Sequence, residues 1–218
     1  MRYETILFDM DGTLTDSGPG IKNSVIYALK KYGIEVKDRE KLNKFIGPPL
    51  WDSFEKYYDF SKEEARKAVE YYREYYREKG MFENVVYEGI EDLLRQLKES
   101  NRRLLVATSK PEVFSKQILE HFDIAHYFTF VAGSNFDGTR VNKDEVIQYA
   151  LENCPVSDLS KVLMIGDREH DIIGAKKNGI DSVGVLFGYG DRQELEGAGA
   201  TYIVENVEEI GKVILDIQ

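Results

Sequence analysis

Cysteine is nearly absent from this chain of 218 residues: the one example, Cys154, leaves no intrachain disulfide to form and fits a reducing compartment. It lies in a helix-to-loop stretch with no His partner in sequence and reads as structural. Positive charge is also in short supply. Twenty-nine Lys and Arg face 39 Asp and Glu, a formal net charge of −10 and a pI near 5.0. A protein that binds a nucleic-acid backbone wants a basic face, so a polymer partner of that kind is excluded. Small anions are not, because one local pocket can be positive on an acidic protein. Long apolar runs are missing too. None approaches the ~20 residues of a membrane-spanning helix. The first run stops at Asp9, and Glu4 stands where an export signal needs its basic start. The expectation is a cytoplasmic protein without a membrane partner. What is present, 42% hydrophobic and 31% charged residues, describes a packed core with limited disorder. The length suits one domain with an elaboration or two small ones.

The stretch on which the rest is organised is Thr5-Ile6-Leu7-Phe8-Asp9-Met10-Asp11-Gly12-Thr13-Leu14. A short apolar run of β character runs straight into two carboxylates spaced two apart, then a Gly-Thr turn. A strand of that composition is normally buried, so its end is a stiff mount for charge. Residues i and i+2 share a strand face, but a turn directly after them can splay the two acids into separate roles. One can act as nucleophile or metal ligand and the other as proton carrier. The competing account is a helix N-terminus charged with Asp.

Helical periods follow. Pro19 opens a helix with Ile21, Val25, Ala28, Leu29 and Tyr32 on one face, closed by Gly33. Further helices are expected over about 38–45 and 50–58, separated by Gly47-Pro48-Pro49. Ser61-Lys62-Glu63-Glu64 reads as an N-cap opening a long helix to about Lys79. No convincing strand lies between Asp16 and about Asn84. Tyr71, Tyr72, Tyr75 and Tyr76 fall at i, i+4 spacings that read as a packing face more readily than as a base-stacking platform. From Gly89 the rhythm alternates. Helices at 90–99, 112–122, 143–152 and about 171–178 lead to strands at 104–107, 127–131, 162–165 and 182–186, then a strand at 202–204 and a helix at 207–215. Gly188-Tyr189-Gly190 and Gly197-Ala198-Gly199 lack the context of a dinucleotide fingerprint and read as turns. Alternating strands and helices predict an α/β fold, a doubly wound parallel sheet, with a helical bundle inserted into it. The expected division is an α/β core of residues 1–15 and 85–218, and an inserted helical cap of residues 16–84. Leaving the chain beside the acidic turn, the insertion reads as a lid.

Three more strand ends or loops carry polar residues of a consistent kind. Thr108 and Ser109 follow one apolar strand, where hydroxyls and free N–H groups before a helix form an anion site or an ordinary cap. Lys143 opens a helix, where a cation opposes the dipole and needs pairing with a phosphate or an acid to explain it. Gly166-Asp167-Arg168-Glu169-His170-Asp171 follows another strand. Acids of this kind suit Mg²⁺, which takes one or two carboxylates plus substrate phosphate. His170 reads as solvated. Open α/β sheets bind ligands at the carboxyl ends of strands where the order reverses. If one site uses these ends, the first strand lies between the second and fourth, predicting the order 3-2-1-4-5.

With these residues in view, the chain resembles the haloacid-dehalogenase superfamily of phosphatases, with a helical cap after the first motif. The likeness spans essentially the whole chain. Asp9-Met10-Asp11-Gly12-Thr13 is similar to the nucleophile motif, Thr108 to the second-motif hydroxyl, Lys143 to the phosphate-side lysine, and Asp167 with Asp171 to the metal-binding acids. Within the superfamily it looks like the phosphoglycolate-phosphatase and 5′-nucleotidase-like branch; Phe45-Ile46-Gly47-Pro48-Pro49-Leu50, Gly133-Ser134-Asn135 and the stretch 166–171 look closest to nucleotidase-like members. The resemblance implies attack on phosphorus by Asp9 and acid–base work by Asp11. It implies Mg²⁺ held by Asp9, the backbone carbonyl of Asp11, and Asp167, and a phosphate cradle of Gly12, Thr108, Ser109 and Lys143. Asp171 is left with two roles, touching metal-bound water or orienting Lys143. Specificity is expected in the cap loop at Phe45, Ile46, Gly47 and Pro48, near Trp51. The expected substrate is a small phosphorylated metabolite, a nucleoside 5′-monophosphate or phosphoglycolate, handled by a monomer or weak homodimer. Asp11 argues against a dehalogenase and a phosphonoacetaldehyde hydrolase. A sugar phosphomutase of the same fold stays open, as does, from another class, a phospho-receiver or binding protein.

Overall fold

The structure, a computed structural model, describes residues 2–215. The chain falls into two compact units, one of residues 1–15 and 86–218, the other of residues 16–85. In chain order the elements are β1 (Thr5–Phe8), β2 (Thr15–Asp16), α1 (Gly18–Lys31), α2 (Leu50–Tyr58), α3 (Lys62–Glu78), β3 (Val85–Val86), α4 (Ile90–Glu99), β4 (Arg103–Pro111), α5 (Glu112–His121), β5 (Phe130–Ser134), α6 (Lys143–Asn153), β6 (Val162–Gly166), α7 (Glu169–Lys177), β7 (Asp181–Val185), α8 (Arg192–Ala198), β8 (Tyr202–Val204) and α9 (Val207–Leu215).

In the first unit β1 is the centre. Its four residues are buried, as a near-continuous apolar run covered on both faces should be. It pairs in parallel with β4 on one side (Thr5 opposite Arg103, Phe8 opposite Val106) and with β6 on the other (Thr5 opposite Val162, Phe8 opposite Ile165). The six-stranded sheet runs β5-β4-β1-β6-β7-β8. Counted along the core strands, this is the expected 3-2-1-4-5 with a sixth strand added at the edge. Alternate residues serve opposite faces. Leu7, Leu105, Ala107 and Met164 pack with Val146, Ile147 and Ala150 of α6 and Ala175 of α7. Ile6, Phe8, Val106 and Ile165 are equally buried on the opposite face. Each such aliphatic side chain contributes roughly 1.5–3 kcal/mol on burial, so the sheet centre is the most rigid place available to hold a site.

Several elements differ from expectation. β4 does not stop at Ala107 but runs to Pro111, with a break in register against β5. The strand expected from Tyr127 begins at Phe130, because a 3₁₀ turn takes Ala125–Tyr127. Gly197 and Ala198 are not in a turn: they end α8, a short helix opened by Asp191, which accepts the Glu194 N–H at 2.8 Å, and closed by Gly199. Seven residues are too few to set up a readable apolar period. The residues 16–84 were expected to hold no strand, yet Asp16 belongs to β2, which pairs with β3 where the chain passes between the units.

In the second unit α3 lies against α1 and α2. Phe45, at the end of a 3₁₀ turn over Glu40–Phe45 rather than an α-helix, is buried against Phe54 with ring centroids 5.1 Å apart. Tyr72 and Tyr76 are buried and stacked at 5.3 Å, whereas Tyr75 meets Tyr27 and Tyr71 meets Tyr32. The tyrosines pack. Ser61 Oγ accepts the Glu64 N–H at 3.3 Å, and Glu64 accepts the Ser61 N–H at 2.9 Å, a capping box that satisfies two backbone donors. Ser61→Ala removes one half of that box and is expected to cost about 1 kcal/mol of stability, read from urea unfolding followed by circular dichroism.

Candidate active site

The site grows from the end of β1. The Asp9 N–H still donates to Ile165 O at 2.9 Å, which extends the β6 ladder one residue and fixes the Asp9 backbone. The chain then turns tightly: Met10 O accepts the N–H groups of Thr13, Leu14 and Thr15. Gly12 sits in this turn at φ +81°, and a Cβ there would overlap Asp167 Oδ2 and come within 2.8 Å of the Tyr189 ring. Only glycine meets both demands.

Lys143 explains itself once its surroundings are visible. Its ammonium lies 2.8 Å from Asp9 Oδ1 and 2.8 Å from Asp171 Oδ1, and donates to Ala107 O at 3.1 Å. The side chain is 4% exposed. Burial alone would lower its pKa, but the Asp171 and Asp9 carboxylates outweigh that and hold it above the usual lysine range. The gain that offsets a cation at a helix start is therefore the pairing with two acids, and Lys143 joins β1, β4 and α7 at one point.

Asp167 follows β6 and is fully buried. One oxygen, Oδ2, accepts the Tyr189 N–H at 2.7 Å; the other, Oδ1, has no hydrogen-bond partner among the described residues. Burial first, then Asp171 and Asp9 nearby, push its pKa well above the ordinary carboxylate range. Asp171 is also buried and is pushed up to about 6, burial outweighing the pull of Lys143. Its Oδ2 accepts the Arg168 N–H at 3.1 Å while Oδ1 faces Lys143. Asp171 thus has one oxygen on a backbone N–H and the other 2.8 Å from the Lys143 ammonium, and it belongs to one acidic cluster with Asp9 and Asp167.

Oxygen atoms of Asp9, Asp167 and Asp171 all lie within 4.8 Å of one another. With Asp11 nearby, four carboxylates face two ammonium groups, Lys143 and Lys110, a formal excess of two negative charges. An oxygen-only set with a buried, unpartnered carboxylate oxygen fits a hard divalent cation such as Mg²⁺. The Asp11 side chain stands outside this trio. Its Oδ2 pairs with Lys110 Nζ at 2.8 Å.

The remaining expected residues are found as follows. Thr108 is buried, with Oγ1 accepting the Lys110 N–H at 3.2 Å, and Ser109 is half-buried. His170 is exposed on the first turn of α7. Phe45 and Ile46 are buried inside the helical unit, and of that loop only Gly47 and Pro48 are half-exposed. Two contributors escaped the sequence reading. Lys110 stands third in Thr-Ser-Lys-Pro, where periodicity says nothing of a role. The turn at Gly188-Tyr189-Gly190 is a turn as expected, but its N–H to Asp167 crosses 22 residues of sequence. Arg168 holds Glu194 at 2.7 Å, tying α8 to the same loop.

The chain as a whole is similar to known proteins. A model of the haloacid dehalogenase-like hydrolase family matches residues 6–185. The chain is 42% identical to a 5′-nucleotidase of Pseudomonas aeruginosa, over 98% of this chain and 96% of that protein. It is 36% identical to the tyrosine-protein kinase PtkA of Mycobacterium tuberculosis, over 92% and 68%. A phosphoglycolate phosphatase of Vibrio parahaemolyticus is 26% identical, over 96% and 95%. Among solved structures, that of a predicted phosphatase from Clostridium acetobutylicum superposes with a TM-score of 0.96 at 53% identity, covering both chains fully. With a family match over most of its length and a carboxylate–lysine cluster at the switch point of its sheet, the chain belongs to the haloacid dehalogenase-like hydrolases.

Proposed function

We propose that this phosphatase hydrolyses a small phosphomonoester in two steps through a phosphorylated Asp9, with a nucleoside 5′-monophosphate or phosphoglycolate as substrate. The observation that carries the reading is the convergence of Asp9, Asp11, Lys143 and Asp167 at the carboxyl ends of β1 and β6 and the start of α6.

In the first step an Asp9 carboxylate oxygen forms a bond to phosphorus, the ester P–O bond breaks, and Asp11 gives a proton to the leaving oxygen. In the second, water attacks phosphorus, Asp11 takes its proton, and the Asp9 carboxylate is released with inorganic phosphate. Splitting the reaction lets one acid serve twice, and acid–base help of this kind is worth roughly 10²–10⁴ in rate. Lys143, 2.8 Å from Asp9, would balance negative charge on the equatorial oxygens as the phosphoryl group moves, with Gly12, Thr108 and Ser109 completing the cradle. Asp9 and Asp167, with the Asp11 backbone carbonyl, would hold Mg²⁺, which when bound would offset the repulsion between carboxylates and phosphate. We assign substrate choice to the loop at 45–48, through Gly47 and Pro48.

Asp9→Asn is nearly isosteric. It is expected to abolish phosphate release, assayed with Mg²⁺ on nucleoside monophosphates, phosphoglycolate and sugar phosphates, while melting temperature changes little. Retained turnover would remove Asp9 as nucleophile, and a bisphosphate-dependent isomerisation without release would replace hydrolysis by phosphomutase chemistry.

The metal assignment is tested without turnover. Because the fold raises Asp167 and Asp171 above ordinary carboxylates, the protonated acids favour the folded state. Their stabilising effect is present at low pH and lost as pH rises through the folded pKa, about 6 for Asp171. A cation held by Asp9 and Asp167 needs Asp167 ionised, so stabilisation by Mg²⁺ should grow as pH rises, reaching about 2.7 kcal/mol at 100 times the dissociation constant. Thermal melts with EDTA or Mg²⁺ at pH 5 and pH 7.5 should show a Mg²⁺ shift at pH 7.5 that shrinks at pH 5. Asp167→Asn should lose that shift. A pH-independent response, or one that survives Asp167→Asn, would count against this site.

A further inference from the structure

Lys110 has no part in the two steps above, yet its side chain is as buried as that of Lys143, both at 4% exposure. Taking an ammonium out of water is costly unless a partner compensates. The partner is Asp11 Oδ2 at 2.8 Å. The other oxygen of the same carboxylate, Oδ1, is buried as well and accepts no hydrogen bond among the described residues. One Asp11 oxygen is tied to a cation and the other is not.

A local break in the sheet puts the lysine there. Ala107 pairs with Ala132, but the next pairing is Pro111 with Ser134, so four steps along β4 are matched by two along β5. Thr108, Ser109 and Lys110 lie in the unmatched stretch, which the Lys110 N–H closes onto Thr108 Oγ1. Irregularities of this type re-aim side chains beside active sites.

We propose that Lys110 is a positioning residue: by holding Oδ2 it fixes the plane of the Asp11 carboxyl group, so that Oδ1 is the oxygen that exchanges a proton with the ester and with water. The proposal rests on the reading of Asp11 as proton carrier. Without the lysine the carboxyl group is free to turn about its own bond, and misplacement of a catalytic group by about 1 Å can cost on the order of 10²-fold in rate.

The test compares two esters that differ in need for a proton. An alkyl phosphate, the one turned over fastest in the panel above, leaves as an alkoxide that must be protonated; p-nitrophenyl phosphate leaves as a stable phenolate. The quantity read is kcat/KM, which ends at departure of the leaving group. Lys110→Met is expected to lower it by roughly 10–100-fold on the alkyl ester, inside the range general acid catalysis supplies, and by much less on the nitrophenyl ester. Asp11→Asn should show the same pattern, and the double variant should be no worse than Asp11→Asn alone. Lys110→Arg, which keeps a cation, should recover part of the loss, and it carries the comparison if the Met variant melts early. Equal losses on both esters, or additive losses in the double variant, would overturn the positioning role and make Lys110 a phosphate contact or a structural ion. A wild-type chain inert on both esters, or one still active as Asp9→Asn, would overturn the hydrolase reading itself and the proposal with it.

Discussion

Carboxylates repel, and this protein gathers four of them at the tip of a buried strand. Oxygen atoms of three of them, Asp9, Asp167 and Asp171, lie within 4.8 Å of one another, and buried like charges at that distance cannot all stay ionised without compensation. Lys143 supplies part of it by facing Asp9 and Asp171 at once. Lys110 supplies another part at Asp11. What remains uncompensated is concentrated on Asp167, whose Oδ1 is buried and unpartnered and whose pKa is driven up by burial and by its acidic neighbours. The electrostatic deficit suits a hard divalent cation, and it is an imbalance that folding alone would avoid.

The sheet holds these charges in register. A strand buried on both faces cannot shift without exposing Ile6, Leu7 and Phe8, so Asp9 inherits the rigidity of the core. The neighbours of β1 are decided by topology: β4 carries Thr108 and Lys110 near its end, and Asp167 follows β6. Close packing does the final positioning. Gly188 lies so near Gly12 O and the Asp167 side chain that any Cβ would force them apart, and the Tyr189 N–H that orients Asp167 depends on that closeness.

Much of this was legible in the sequence because local signals agreed with one another. The strand before Asp9, the cap at Ser61, the helix started by Lys143 and the apolar run before Asp167 each carry their own period or cap, and the reversal of strand order followed from requiring their ends to meet. Signals failed where they were short or nonlocal. Helix α8 has only seven residues, the paired dipeptides of β2 and β3 have no period at all, and the 3₁₀ turn at Glu40–Phe45 shares its residue preferences with an α-helix.

By itself, then, the sequence determined the alternation of strands and helices, the acids and hydroxyls at the strand ends, and the family, because each depends on neighbours within a few residues. Tertiary structure alone decided which oxygen faces which ammonium. Lys110 could be recognised only after the register of β4 slipped against β5 and brought it to Asp11, and the Asp9 and Asp171 carboxylates come together on the Lys143 ammonium only in the folded chain. Such contacts join residues 28 to 134 positions apart, and no local preference of the chain encodes their distance or direction.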